Sequence, residues 1–180
     1  MARASQTHMA VLGALSIEPM TGYALRETIR DVLGHFWSES FGQIYPALAE
    51  LERLELVERS GSAKAGSSTF TITAAGRRRL RELLGEPVQV APARNGLMLR
   101  LFFGRTLGVE ACRELVVAAE ADAQRRLLEF DALAVQVAGE TQHAADEPFW
   151  QLTISAGRHS AQATIAWAQE CLAALDEVAR

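Results

Sequence analysis

The sequence predicts a mainly α-helical chain in two parts, an N-terminal unit that mixes helices with one β-hairpin and a C-terminal unit built of helices alone. Three observations carry that prediction. Alanine supplies 31 of the 180 residues, and with Leu, Arg and Glu it gives a composition rich in strong helix formers. Apolar residues recur every three or four positions over most of the chain, while two short stretches alternate as strands do. Between Pro87 and Pro92 the chain changes character, which places a boundary there and divides it into residues 1–86 and 87–180.

Each element of the first part has a local reason. Met9, Leu12 and Leu15, with Val11 alongside, repeat at helical spacing from about His8 to Ser16, and Glu18-Pro19-Met20-Thr21-Gly22 breaks the run. Thr21 is placed to cap a second helix whose apolar face is Tyr23, Leu25, Ile29, Val32 and Leu33, with Gly34 at its end. Ser40-Phe41-Gly42-Gln43 has the S-x-x-Q form of a capping box and starts a third helix. Its core stripe is Ile44, Ala47, Leu48, Leu51 and Leu54. Gln43, Tyr45, Ala49, Glu50 and Arg53 fall off that stripe, and Pro46 costs one backbone hydrogen bond. Leu56–Arg59 and Thr69–Ile72 alternate as a hairpin across a loop of small polar residues, and Thr73 caps a fourth helix through Leu80, Leu83 and Leu84 that ends near Gly85.

The second part reads as a short helix over 95–103 and two long ones. Val116, Ala119, Ala123, Leu127, Phe130, Ala134 and Val137 step by three or four within 109–137, a seam able to bury itself along another helix. The last helix, from about Glu147 to Val178, carries two rows. One is Gly157, Ser160, Thr164, Trp167, Cys171, Ala174 and Val178; the other is Ile154, Ala161, Ile165, Ala168, Leu172 and Leu175. Faces this broad predict a helical hairpin that packs on a second subunit rather than standing alone.

Composition excludes several classes. With 49% hydrophobic residues, 22% charged residues and a net charge of -4, the chain has material for a core and is no constitutive polycation. Cys112 and Cys171 stand far apart with no metal-ligand spacing, which fits a reducing compartment. No apolar leader precedes Glu18-Pro19 and no run approaches the ~20 apolar residues of a membrane span, so a cytoplasmic protein is expected. Phosphate-binding, nucleophile-elbow and zincin motifs are missing, and His8, His35, His143 and His159 are scattered. Neither catalysis nor a metal or other cofactor is expected.

The order α-α-α-β-β-α is that of a winged helix-turn-helix, whose third helix enters the major groove while the hairpin touches the neighbouring backbone. Charge agrees. Residues 1–86 hold 10 basic and 10 acidic residues and 87–180 hold 8 and 12, so the excess acid lies in the helical part. Arg59, Lys64, Arg77, Arg78, Arg79 and Arg81 follow one another with no acid between. Such a face suits phosphate, an acidic protein patch or simple solvation. A winged helix used only as a protein-interaction module, without specific DNA binding, is the alternative function.

Leu12-Gly13-Ala14-Leu15, Met20-Thr21-Gly22-Tyr23-Ala24-Leu25, Phe36-Trp37, Gly42-Gln43-Ile44-Tyr45-Pro46-Ala47-Leu48, Leu51-Glu52, Leu56-Val57-Glu58 and Ile72-Thr73-x-x-Gly76-Arg77 form an ordered set. Through it the chain resembles the PadR family of transcriptional regulators over residues 9–84, and the second half resembles the longer members by length and helical character. The resemblance implies a homodimeric repressor that binds a palindromic DNA operator, dimerises through its C-terminal helices and is released by a small aromatic or drug-like effector. Carried over by position, Ser40, Gln43 and Tyr45 lie at the DNA-facing end of the third helix and Tyr23 near phosphate, with Lys64 and Arg77 as further DNA contacts. Capping already explains Ser40 and Gln43, and Tyr45 would also cover the Pro46 bend. The hairpin departs from the family: Ser67-Ser68-Thr69 stands where many members have basic residues, which leaves Lys64 alone at the tip and predicts a shallow salt dependence. Trp37, Phe149, Trp150 and Trp167, with His159 as a polar handle, are candidate effector-pocket residues that read equally well as core.

Overall fold

The computed structural model describes residues 2–30, 37, 41–61, 68–88, 95–139 and 141–178. The chain divides into two compact units, Met1–Val90 and Ala91–Arg180. Ser40, Lys64, Gly34, Val32 and Leu33, all named above, lie outside the described residues.

In the first unit α1 (Ala2–Ile17), β1 (Met20–Thr21), α2 (Gly22–Thr28), α3 (Phe41–Arg53), β2 (Val57–Ser60), β3 (Thr69–Ile72) and α4 (Ala74–Leu84) follow in order. Val11, Leu12, Leu15, Leu25, Ile44, Leu48, Leu51, Val57 and Leu83 are almost fully buried and form one core, as the helical spacing predicts. Three expectations need correction. The first helix reaches back to Ala2, because good helix formers extend it beyond its apolar repeat. Met20 and Thr21 make a two-residue strand that pairs with Phe70 and Thr69, so the sheet has three antiparallel strands in the order β1-β3-β2. Two residues are too few to show alternation. Tyr23, Leu54 and Leu84, assigned to apolar faces, are 60%, 44% and 63% exposed.

Leu54 is exposed because α3 ends one residue before it. The amide of Leu56 donates to the Leu51 carbonyl at 2.9 Å and that of Glu55 to the Glu52 carbonyl at 3.0 Å, with Glu55 in the left-handed region at φ 57. This is a Schellman termination with glutamate where glycine is usual. The same turn meets Thr73. Its hydroxyl donates to the carbonyl of Glu55 at 2.9 Å and accepts from the amide of Gly76 at 2.9 Å, so one side chain caps α4 and ties it to the end of α3. Gly76 is needed at this joint, since a Cβ there would stand 2.1 Å from the Leu56 carbonyl oxygen.

In the second unit α5 (Gly96–Phe102) and α6 (Gly104–Leu107) precede α7 (Val109–Ala138) and α8 (Glu147–Val178). The single short helix expected over 95–103 is thus α5, capped by the Asn95 side chain, with a further turn of helix beyond it. The two long helices pack on each other as a hairpin. Val116, Ala123, Phe130 and Val137 on α7 and Ile154, Ala161 and Ala168 on α8 are buried, both at a seven-residue spacing. Phe130 packs over Gly157, where an added Cβ would meet its ring at 2.3 Å. Arg158 pairs with Asp131 at 2.7 Å, Arg113 with Asp176, and Gln169 donates to Glu120 at 3.1 Å. Of the two rows on the last helix, the one through Ile154 is the buried seam. Ser160, Ala174 and Val178 of the other row are exposed.

Candidate nucleic-acid interface

The site is built on α3. Ile44, Ala47, Leu48 and Leu51 anchor one side of it in the core, which turns Gly42, Gln43, Tyr45, Pro46 and Ala49 to solvent. This exposed half carries no formal charge. The first charged residue of the helix is Glu50, followed by Glu52 and Arg53, and Arg53 donates to Glu50 at 2.7 Å. That bond holds the Glu50 carboxyl below its ordinary pKa. Within α3, then, the N-terminal half presents no charge that would repel a polyanion, and the end that carries Glu50 and Glu52 does.

Tyr45 is 52% exposed, and its Cε1 lies 2.9 Å from where a Gly22 Cβ would stand. The ring thus rests on the first turn of α2 and keeps its outer face free. Tyr23, one residue further along α2, is also exposed. Thr21 caps that turn by accepting from the Ala24 amide at 3.1 Å. Gln43, Tyr45 and Tyr23 are polar or aromatic groups at the joined starts of α2 and α3.

Arg77 has a different neighbourhood. It donates to the Ser16 carbonyl at 3.3 Å, at the C-terminal end of α1 where the helix dipole favours a cation. Arg79 pairs with Glu82 at 3.0 Å and approaches Glu86 at 4.0 Å. Within the basic run, Arg59 lies on β2 with its guanidinium 5.8 Å from the Phe70 ring centroid, and Arg78 and Arg81 are exposed with no ion pair among the described residues. The run's lack of intervening acids therefore overstated its free charge: Arg79 is neutralised by acids just beyond it. Among the described residues Arg59, Arg78 and Arg81 have no ion pair, and a count along the chain does not show which bases are paired.

The candidate effector residues are not gathered in one cavity. Trp37 packs against the first unit's core and lines a groove of about 330 Å³ with Met9, Leu83 and Val88. Trp150 packs against the hairpin core of Phe130, Val137 and Ile154, its ring 5.9 Å from that of His143. Phe149 is 67% exposed, and the exposed His159 has Nδ1 2.8 Å from the Ser155 carbonyl. Trp167 lines a pocket of about 560 Å³ with Asn95, Met98, Asp122, Arg126 and Thr164. Phe149 and Trp167 share one helix, and at 1.5 Å per residue they stand roughly 27 Å apart along it, too far for one small ligand.

A unit with this helix order, a three-stranded wing and an uncharged, exposed helix start, joined to a helical hairpin, defines a winged-helix regulator with an accessory helical domain. The comparisons agree. Residues 11–82 match the transcriptional regulator PadR-like family, and residues 93–176 match the virulence activator alpha C-terminal family. The chain thus carries a PadR-like domain followed by a virulence activator alpha C-terminal domain, and PadR-like family members are transcriptional regulators, not enzymes. No curated protein sequence matches it.

Solved structures share the fold along nearly the whole chain. The PadR-like regulator BC1756 from Bacillus cereus superposes with a TM-score of 0.81 at 21% identity, covering 95% of this chain and 98% of that one. PadR from Bacillus subtilis in complex with operator DNA gives 0.78 at 20% identity, covering 93% and 98%; the same protein in complex with p-coumaric acid gives 0.77 at 20%, covering 93% and 97%. The Vibrio cholerae virulence activator AphA gives 0.72 at 22% identity, covering 96% and 99%. Among the described residues no helix is long and apolar enough to cross a membrane.

Proposed function

We propose that this regulator is a cytoplasmic homodimeric repressor that binds a palindromic operator through residues 1–86, dimerises through residues 87–180 and is released by a small aromatic effector. The observation that carries the DNA reading is the exposed, uncharged start of α3. Gln43 and Tyr45 reach base edges in the major groove, Tyr23 and the wing's hydroxyl and amide groups meet the backbone, and Arg59, Arg78 and Arg81 supply the phosphate-facing charge. Ser40 and Lys64 remain contacts in this reading by their positions in the chain. Arg77 acts mainly by holding α4 to the end of α1. The complex of Bacillus subtilis PadR with operator DNA, a protein of the same fold, supports it.

Apolar side chains left uncovered on the second unit support a dimer. On α7, Val117, Leu128 and Val135 are 48%, 70% and 76% exposed, and their spacing of eleven and seven residues lines them along one face of the helix, an apolar stripe that a second copy would cover. For the effector, the Trp167 pocket offers an indole, the Arg126 guanidinium paired with Asp122 at 3.0 Å, and the Asn95 amide. That set suits an aromatic ring with one acidic or hydroxyl group, and the Bacillus subtilis PadR complex with p-coumaric acid supports the same class. Mobility shifts with the DNA upstream of the protein's own gene test the reading. Specific retardation of wild type, weakened by Tyr45→Ala and relieved by an aromatic acid that quenches Trp167, supports it. No specific complex at moderate salt favours the interaction-module alternative.

A further inference from the structure

A second cavity of the C-terminal unit differs in chemistry from the Trp167 pocket. It occupies about 500 Å³ between the start of α7 and the end of α8, with Val109, Cys112, Val116, Cys171, Leu175 and Val178 on its walls and Leu101 beside them. Gly104 and Gly108 add wall without bulk; the Sγ of Cys112 packs 2.9 Å from where a Gly104 Cβ would stand, and Gly108 has φ 97. No aromatic ring lines it. Arg105 is its one charged side chain and has no ion pair among the described residues, while the nearby Arg113 takes both Glu110, at 3.8 Å, and Asp176.

We propose that this cavity binds an aliphatic carboxylate of medium chain length, its carboxylate on Arg105 and its chain along the wall formed by Cys112, Val116, Cys171 and Leu175. The size is that of a small-molecule site, the saturated lining favours a flexible alkyl chain over a ring that seeks an aromatic partner, and the exposed Arg105 on its wall, without an ion pair among the described residues, selects an anion. Carboxylate binding does not depend on the DNA reading; only its regulatory consequence rests on it, so the two fail separately.

Cys112 and Cys171 are the two cysteines of the chain, and both line this cavity, so thiol alkylation reports its occupancy. Full-length protein is treated with N-ethylmaleimide with and without sodium decanoate below its micelle concentration, and labelling of each cysteine is followed by mass spectrometry. Burial and Glu170 push the Cys171 thiol up, so mildly alkaline buffer gives a measurable basal rate. Decanoate is expected to slow Cys171 labelling about five-fold or more, with decan-1-ol and benzoate much weaker, and Arg105→Gln is expected to raise the decanoate concentration required about ten-fold. Ala174→Phe, or Val109→Phe if the first variant does not fold, fills the cavity and abolishes the effect. Equal protection by decan-1-ol, unchanged protection in Arg105→Gln, or no protection at all overturns the proposal. So do thiols that become reactive only on dilution of the protein, because a second copy then fills the cavity.

Discussion

Tyr45 is held by the fold and left free by it at once, with its ring against Gly22 and half its surface in solvent. Tyr45→Ala is therefore expected to weaken specific DNA binding about ten-fold or more, as lost base or backbone contacts do, while thermal stability falls only slightly. Titration of labelled operator by fluorescence anisotropy, alongside a thermal melt, separates the two effects. Glu55 points the other way. A non-glycine residue in the left-handed region costs about 1 kcal/mol, so Glu55→Gly is expected to raise the melting temperature, and calorimetry that finds a lower one contradicts the Schellman assignment. Gly76→Ala meets the Leu56 carbonyl and is expected to cost about 2 kcal/mol or more. At this scale Gln43 and Tyr45 were legible because the core stripe of α3 leaves them outside it. Tyr23 does not belong to the apolar face: two residues before Leu25 it stands on the opposite side of the helix, and it is exposed where Leu25 is buried, in keeping with the position near phosphate that the family resemblance implies. Nor could the sequence show that Arg77 is bound to Ser16 and Arg79 to Glu82, since such pairings depend on how α4 lies on its neighbours.

Among the elements, α7, α8 and α4 were legible almost to the residue. Their seams are regular, and Thr73, Gly85 and Gly139 mark their ends. The β1 strand was not, because it exists only through its pairing with β3, and α6 was not, because four residues carry no periodicity. The packing of α1 on α3 and α4 carries a pH consequence. His8 on α1 is half-buried and faces Glu50 on α3 and Arg79 on α4; burial, aided by Arg79 and opposed by Glu50, depresses its pKa below the ordinary 6.5. The unfolded chain then binds the proton more readily than the folded one, so stability is highest above pH 6.5 and falls as the pH drops through the depressed value. Glu50, whose own pKa is lowered from 4.5, loses its contribution only at more acid pH, outside that window. Melts near about pH 7.5 and about pH 5.5 should show a smaller drop in His8→Gln than in wild type. An identical drop in both removes His8 from the account.

For the whole molecule, the formal charge of -4 conceals a neutral first unit and an acidic second one, and this division was legible from the residue counts alone. What the counts missed was pairing. With Arg79 neutralised and Arg77 engaged, the proposed complex keeps Arg59, Lys64, Arg78 and Arg81 as its phosphate-facing cations in each subunit. The logarithm of the affinity should then fall with the logarithm of salt concentration at roughly 0.9 per contact, a slope of about 3.6 per subunit. Titrations across a salt series check this, and a slope several times steeper means that other residues carry the backbone contacts. The candidate effector pocket was the least legible feature, because an aromatic residue at helical spacing serves core and pocket equally; only the packed α7–α8 hairpin separates Trp150, packed against its core, from Trp167, on a pocket wall. Reading of DNA by the uncharged start of α3 is tested by equilibrium binding of wild type and a Gln43→Ala, Tyr45→Ala double variant to operator and to scrambled DNA. The double variant is expected to lose its preference for operator while retaining its weak, salt-sensitive affinity for both sequences; an undiminished preference means that Gln43 and Tyr45 do not read the bases.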